Sequence, residues 1–401
     1  MAKFRTLDDL QVGGNRVLLR ADLNVPVKDG RVTDATRIER LAPTIDELVA
    51  KGARVVVMSH FGRPDGKPAP AFSLRQLVAP LRAALGREVI FAADCIGDPA
   101  KQVVDELRPG QVALLENLRF HRGEEANSPE FAQALAELGD VYVDDAFSAA
   151  HRAHASIAAL PRLLPAAAGR LMEAELKALS TALETPARPV LALVGGAKVS
   201  TKLDLLRNLI GKVDRLAIGG AMANTLLFAQ RIEVGRSLCE RDMVAEASRL
   251  LRLAGERDCR VILPADAVVA AALAPDAETQ TVPIEAVPGE MMILDIGSKT
   301  TAGIGQALEA SRTLVWNGPL GAFETPPFDR GTTAIARKAA DLTQAGRLLS
   351  VAGGGDTVAA LAAAGLGGAL SYVSTAGGAF LEWLEGRELP GVAALAAGDA
   401  G

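Results

Sequence analysis

Four arginines, Arg37, Arg63, Arg119 and Arg152, lie in segments that follow short apolar runs in the first 152 residues. The runs are "NRVLLRADLN" (15–24), "ARVVVMSH" (53–60), "QVALLENL" (111–118) and "DVYVDDAF" (140–147). Arginine offers a planar fork of donors that fits phosphate and carboxylate oxygens two at a time. One such residue ordinarily pairs with a neighbouring acid on the surface. Four beyond successive strands of one sheet point instead to a pocket for a small, strongly anionic molecule. Asp22 and Asn24, just beyond the first run, suit hydroxyl groups on that molecule. His60 directly follows the second run and stands beside Arg63. His121, His151 and His154 lack a metal-motif spacing to Cys or carboxylate, so structural hydrogen bonding is expected of them.

The second half offers glycines in place of arginines. "VGGAKVSTK" (194–202), "IGGAMANT" (218–225), "AGGGDT" (352–357) and "STAGGAF" (374–380) all have the form of a strand-to-helix turn. Glycine lets the backbone approach a ligand, and a helix start presents free N–H groups with partial positive charge. Four such turns in one domain favour a phosphate-rich ligand. Neither GxxxxGK[ST] nor GxGxxG in a strand-to-helix setting occurs, which counts against a P-loop enzyme and a dinucleotide dehydrogenase. Lys198 and Lys202 are four residues apart and are expected on one face of a helix opened by Gly195 and Gly196. Asp356 fits either an N-cap or a Mg²⁺ ligand. In "WNGPLGAFE" (316–324), Asn317 ends a run and Glu324 suits ribose hydroxyls.

The elements that must hold these groups alternate. Further runs at 87–94, 189–196, 214–220, 259–266, 313–319, 348–355 and 370–378 read as strands, and helical patterns such as "RIERLAPTIDELVAKG" (37–52) fall between strands. That rhythm predicts parallel sheets covered on both faces, with ligands at the carboxyl ends of strands. Near 160–189 the rhythm breaks into one long helix bracketed by Pro161, Pro165, Pro186 and Pro189. Two α/β domains joined by a helix are therefore expected.

The chain has 401 residues, 49% of them hydrophobic, enough for two cores, and a net charge of −5, which argues against general nucleic-acid or membrane binding. Cys95, Cys239 and Cys259 are scattered and odd in number, so packing roles and a reducing cytoplasm are expected. No signal peptide or membrane span is evident in the sequence.

The segments "RADLNVP", "SHFGRP", "LLENLRF", "DAFSAAHRAHAS", "LVGGAKVSTK", "WNGPLGAFE", "GGGDT" and "LEGRELPGV" occur in an order that resembles phosphoglycerate kinases, from about residue 16 to 396. The resemblance implies two Rossmann-like domains with parallel sheets joined by a long helix and hinge. Residues 1–168 plus 382–401 would bind 3-phosphoglycerate, 169–186 would form the interdomain helix, and 187–381 would bind ATP or ADP. Carried over by motif, Asp22, Leu23, Asn24, Arg37, His60, Phe61, Gly62, Arg63, Arg119 and Arg152 would contact 3-phosphoglycerate. Lys198, Lys202, Asn317, Glu324, Gly354, Gly355, Asp356 and Thr357 would contact the nucleotide, with Asp356 serving Mg²⁺. Arg37, Lys202, Gly355 and Gly378 would neutralise the phosphoryl group in transfer. The implied partners are 3-phosphoglycerate, 1,3-bisphosphoglycerate, ATP and ADP, acting on a monomer. Ala221, Ala376 and Ile293 depart from the family's glycine-rich pattern. The rival reading is a non-catalytic nucleotide-binding scaffold of the same fold.

Overall fold

The computed structural model describes residues 4–397, which form two compact units. One comprises residues up to Leu176 together with those from Glu388 onward; the other is Lys177–Arg387.

The first unit is built on a parallel sheet. After β1 (Arg16–Arg20), a two-stranded hairpin of β2 (Val27–Lys28) and β3 (Arg31–Val32) leads into the helix Thr36–Ala50. The sheet is completed by β4 (Arg54–Met58), β5 (Val89–Phe91), β6 (Val112–Leu114), β7 (Val141–Asp144) and β8 (Ala166–Ala168). Its strand order is β5-β6-β4-β1-β7-β8. Central strands are apolar along most of their length, because a sheet covered on both faces has no wet side. Leu19, Val55, Val57 and Val143 share a core with Leu41, Ile45 and Leu48 of the helix.

The second unit repeats the plan. It runs through β9 (Val190–Val194), β10 (Arg215–Ile218) and β11 (Arg260–Ile262), and later through β15 (Thr313–Asn317), β16 (Leu349–Gly353) and β17 (Tyr372–Ser374). These six form a parallel sheet in the order β11-β10-β9-β15-β16-β17. Between the two sets, β12 (Asp266–Ala270), β13 (Gln280–Pro283) and β14 (Met292–Ile296) make a separate antiparallel sheet, ordered β13-β12-β14. Strand order reverses between β1 and β7 in the first parallel sheet, and between β9 and β15 in the second. Such reversals open a crevice at the strands' carboxyl ends.

Within the segment between the prolines, where a helix is expected over 169–186, the helix is Arg170–Leu183, and the run Ala166–Ala168 before it is the edge strand β8. Three alanines carry neither the alternation nor the branched side chains that mark a strand, so only sheet pairing with Tyr142–Asp144 reveals it. The expected strand over 259–266 divides into β11 and the start of β12, which belong to different sheets.

Within the first unit, Arg170 anchors the start of its helix through Glu47, Asp8 and Glu173 at 2.6–2.7 Å. The buried Asp145 carboxylate accepts from Leu171 N and Met172 N at 2.8 and 3.1 Å, and burial raises its pKa to about 7. A carboxyl whose folded pKa is raised gives stability that is lost as pH climbs from the ordinary carboxylate range to about 7. Asp145→Asn keeps the acceptor and removes the charge. Its melting temperature should therefore gain on the native protein as pH rises over that interval, in paired thermal scans.

Among the described residues, no helix is long and apolar enough to cross a membrane.

Candidate active site

In the first unit the arginines are joined through backbone. Arg37 Nη1 pairs with Asp22 Oδ2 at 2.9 Å and donates to Asn24 O at 2.8 Å. Asn24 Oδ1 accepts from Gly62 N at 3.0 Å, and Gly62 O accepts from Arg119 Nη1 at 2.7 Å. The helix from Thr36 and the ends of β1, β4 and β6 thus meet in one hydrogen-bonded chain. Asn24 N also donates to Asp22 Oδ1 at 3.0 Å, and Ser148 Oγ donates to Asp22 Oδ2. Gly62 has φ +61°, and a Cβ there would meet the Phe72 ring at 2.4 Å, so no other residue fits this turn. Leu23 and Phe61 are buried; Leu23 N donates to Ser59 Oγ and Phe61 O accepts from Asn117 Nδ2. Arg63 is exposed on the same turn and Arg152 is half-buried.

A buried cation lies behind this row. Arg20, at the end of β1, donates to Ser156 Oγ at 2.8 Å and to His60 Nδ1 at 3.2 Å. Glu124, also buried, lies 4.0 Å from the Arg20 guanidinium and accepts from Ser156 N and Oγ. Burial first, then the charges of Arg20, Arg119 and Arg152, hold His60 well below its ordinary pKa. Burial and the same arginines, Arg119 foremost, bring His154 down to about 4. With a guanidinium donating to its Nδ1, the neutral His60 ring carries its proton on Nε2. Burial lowers the Arg119 pKa as well, and Arg152 adds to the effect.

In the second unit the centre is Lys202. Its Nζ donates to Gly195 O and Asn317 Oδ1, both at 2.6 Å. Asn317 Nδ2 donates to Gly353 O at 3.0 Å. The Thr357 hydroxyl donates to Gly353 O and accepts from Gly318 N at 2.7 Å. The turns after β9, β15 and β16 are thereby knotted at the crevice where strand order reverses. Burial lowers the Lys202 pKa to about 8, against an opposing pull from Asp356.

The expectation that Lys198 and Lys202 share a helix face is corrected. Ser200–Lys202 is a 3₁₀ turn and the helix begins at Leu203, so Lys198 lies on the preceding turn, exposed, while Lys202 folds back into the knot. Asp356 is not the N-cap: Gly354, at φ +97°, takes that position, and Asp356 is exposed in the first turn of Gly355–Ala363. Gly378 opens the helix Gly378–Leu384 after β17, two strands from β15.

Beside the knot is a cavity of about 560 Å³. Gly196, Ala221, Glu324 and Asp356 line it, with an apolar side of Leu238, Leu273, Met292 and Ile293. Lys202, Asn317 and Thr357 stand outside that lining. An apolar slot with a few polar groups suits a flat heterocycle, and the turns suit its charged tail.

Residues 7–387 match the sequence profile of the family described as phosphoglycerate kinase. The chain belongs to the phosphoglycerate kinase family. It is 62% identical over 398 residues to a phosphoglycerate kinase of Methylorubrum extorquens, covering 99% of this chain and all of that one. It is 59% identical to that of Rhodospirillum centenum, covering 98% of this chain and all of that one. The solved structure of phosphoglycerate kinase from Coxiella burnetii superposes with a TM-score of 0.91 at 42% identity, over 98% of this chain and 99% of that one.

Arg20, Glu124 and Asp295 also stand at these sites and are not among the residues expected from sequence. Asp295 lines the cavity and accepts from Ile296 N and Gly331 N at 2.8 and 2.7 Å, so it holds the far end of the loop that carries Glu324. The available signal is a lone charge within an apolar strand: "VLLR" for Arg20 and "MILD" for Asp295.

Gly354→Ala puts a Cβ 2.6 Å from Asn317 Nδ2 in a backbone conformation that side chains disfavour. It should cost about 1–3 kcal/mol of stability, read as a lowered denaturant midpoint, and weaken nucleotide binding by displacing the amide that holds Lys202.

Proposed function

We propose that the protein catalyses reversible, Mg²⁺-dependent phosphoryl transfer between ATP and the carboxylate of 3-phosphoglycerate, giving 1,3-bisphosphoglycerate and ADP. The observation that carries the residue assignment is the pairing of an arginine row on one unit with a lysine-centred knot of glycine turns on the other. The first suits a compact phosphorylated acid, the second a nucleotide tail. A scaffold without catalysis would have no need of Lys202 held half-buried with its charge turned toward carbonyl oxygens.

Arg37, Arg119 and Arg152 hold the charged groups of 3-phosphoglycerate, with Arg63 from the exposed turn. Asp22 and Asn24 orient its hydroxyl, and His60, neutral, donates from Nε2. Glu324 takes the ribose, and the apolar side of the cavity takes the base. Asp356 fits Mg²⁺: an exposed oxygen donor on the cavity wall is what a cation that keeps most of its waters needs. When bound with the nucleotide, Mg²⁺ supplies charge neutralisation on the phosphates.

The acceptor carboxylate is ionised at neutral pH, so the reaction needs no general base. The obstacle is the repulsion of two anions, and catalysis is positioning and charge neutralisation. Lys202, Arg37 and the N–H groups at Gly355 and Gly378 serve the phosphoryl group in flight. Transfer needs both substrates within reach at once and water kept out, so turnover requires the two units to bring their ligands together.

Arg37→Ala and Lys202→Ala should each lower kcat by about 10²–10³ while circular dichroism stays native. The check is a coupled assay for ADP formed from 3-phosphoglycerate and Mg-ATP; normal turnover in both variants would overturn the assignment. A lysine with its pKa lowered to about 8 is cationic at pH 7 and loses that charge as pH rises through 8. The ratio kcat/KM for Mg-ATP, which reports groups of the free enzyme, should fall on that alkaline limb. Lys202→Arg should move the limb to higher pH.

A further inference from the structure

Folding brings together three donors that sequence spacing keeps apart. Asp94 and Cys95 follow β5, while His121 follows the turn Leu118–Phe120 that bears Arg119. One carboxylate oxygen, the Cys95 Sγ and an imidazole nitrogen all lie within 4.8 Å of one another. His121 Nε2 is 2.7 Å from Asp94 Oδ1, and that oxygen also accepts from Cys95 N at 2.6 Å. The Cys95 side chain is fully buried, whereas Asp94 and His121 are 38% and 31% exposed. The His121 ring is steadied by Phe131, with ring centroids 5.3 Å apart.

We propose that Asp94, Cys95 and His121 form a binding site for a borderline-soft divalent cation of the zinc class. The argument is donor chemistry joined to spacing. Thiolate, imidazole and carboxylate are the ligands zinc takes, at about 2.0–2.3 Å, in tetrahedral geometry. Tetrahedral ligands at those lengths stand about 3.3–3.8 Å apart. The Asp94–His121 pair, at 2.7 Å, is closer than that, so a cation entering between them parts it slightly, and the Cys95 Sγ stands within 4.8 Å of both. The thiol proton leaves to solvent as the metal–sulfur bond forms. The solvent-facing side of the cluster leaves the fourth position to water. Mg²⁺ prefers all-oxygen octahedra and does not compete for a thiolate, so the site is separate from the one at Asp356. Cys95 is buried, as expected of a packing role, and His121, expected to serve in structural hydrogen bonding, has the Asp94 carboxylate as its partner.

Co²⁺ is the probe, because its bond to thiolate gives a charge-transfer absorption that other ligands do not. The full-length, nucleotide-free protein is titrated with Co²⁺ in excess Mg²⁺. One equivalent should saturate the band, and Zn²⁺ should abolish it by displacement. Cys95→Ser should remove the band, while Cys239→Ser keeps it. His121→Gln, at a half-exposed position where folding is safe, should weaken cobalt binding by about tenfold or more. Absence of the band from the native protein, or a band of unchanged affinity in His121→Gln, overturns the proposal. Phosphoryl transfer itself is untouched by either result, since none of the three residues is assigned a part in it.

Discussion

The carboxamide of Asn317 ties the second unit's crevice together. Its oxygen accepts from Lys202, and its nitrogen donates to Gly353 O. Through Lys202 it also reaches Gly195 O. One planar group thus fixes the ends of three adjacent strands, β9, β15 and β16, and aims the half-buried Lys202 ammonium. Asn and no charged relative suits the position, because the amide is donor on one side and acceptor on the other. The glycines around it follow from this. A Cβ at Gly195 would meet Pro319 O at 1.8 Å, so the turns after β9 and β15 can close together only with glycine at that point.

The first unit meets the opposite problem, several cations gathered close together. Backbone carbonyls do much of the balancing: Asn24 O for Arg37, Gly62 O for Arg119 and Ala21 O for Arg20. Asp22 and Glu125 supply carboxylates at 2.9 and 3.2 Å. A carbonyl orients a guanidinium without cancelling its charge, so the row stays attractive to an anion while its forks are already aimed.

Sequence legibility divides along physical lines. Fully apolar runs closed by glycine or by a charged turn announce the parallel strands, because a sheet covered on both faces needs them. Arg37, Arg119 and Asp22 can be placed together since strand ends of one sheet lie together. β8 is hidden, because Ala166–Ala168 is a strand by pairing and not by propensity. The antiparallel β13-β12-β14 sheet is hidden in a stretch where Pro and Gly interrupt the patterns. Lys202 is legible as a residue but not in its placement: a spacing of four implies a helix face only where there is a helix, and here a 3₁₀ turn intervenes. The Asp94–Cys95–His121 cluster has no sequence signal, since its members meet only through the packing of β5's end against the turn after β6.

His60 and His154 stay neutral within the arginine row of the first unit. His60 and His154, walled in by arginines, do not take up protons until well below physiological pH. The row's positive charge is therefore carried by guanidinium groups, which do not titrate in cells. Acidification across the range where ordinary histidines switch therefore leaves these two rings uncharged. A phosphorylated acid itself changes in that range, because its phosphate gains its second proton near pH 6.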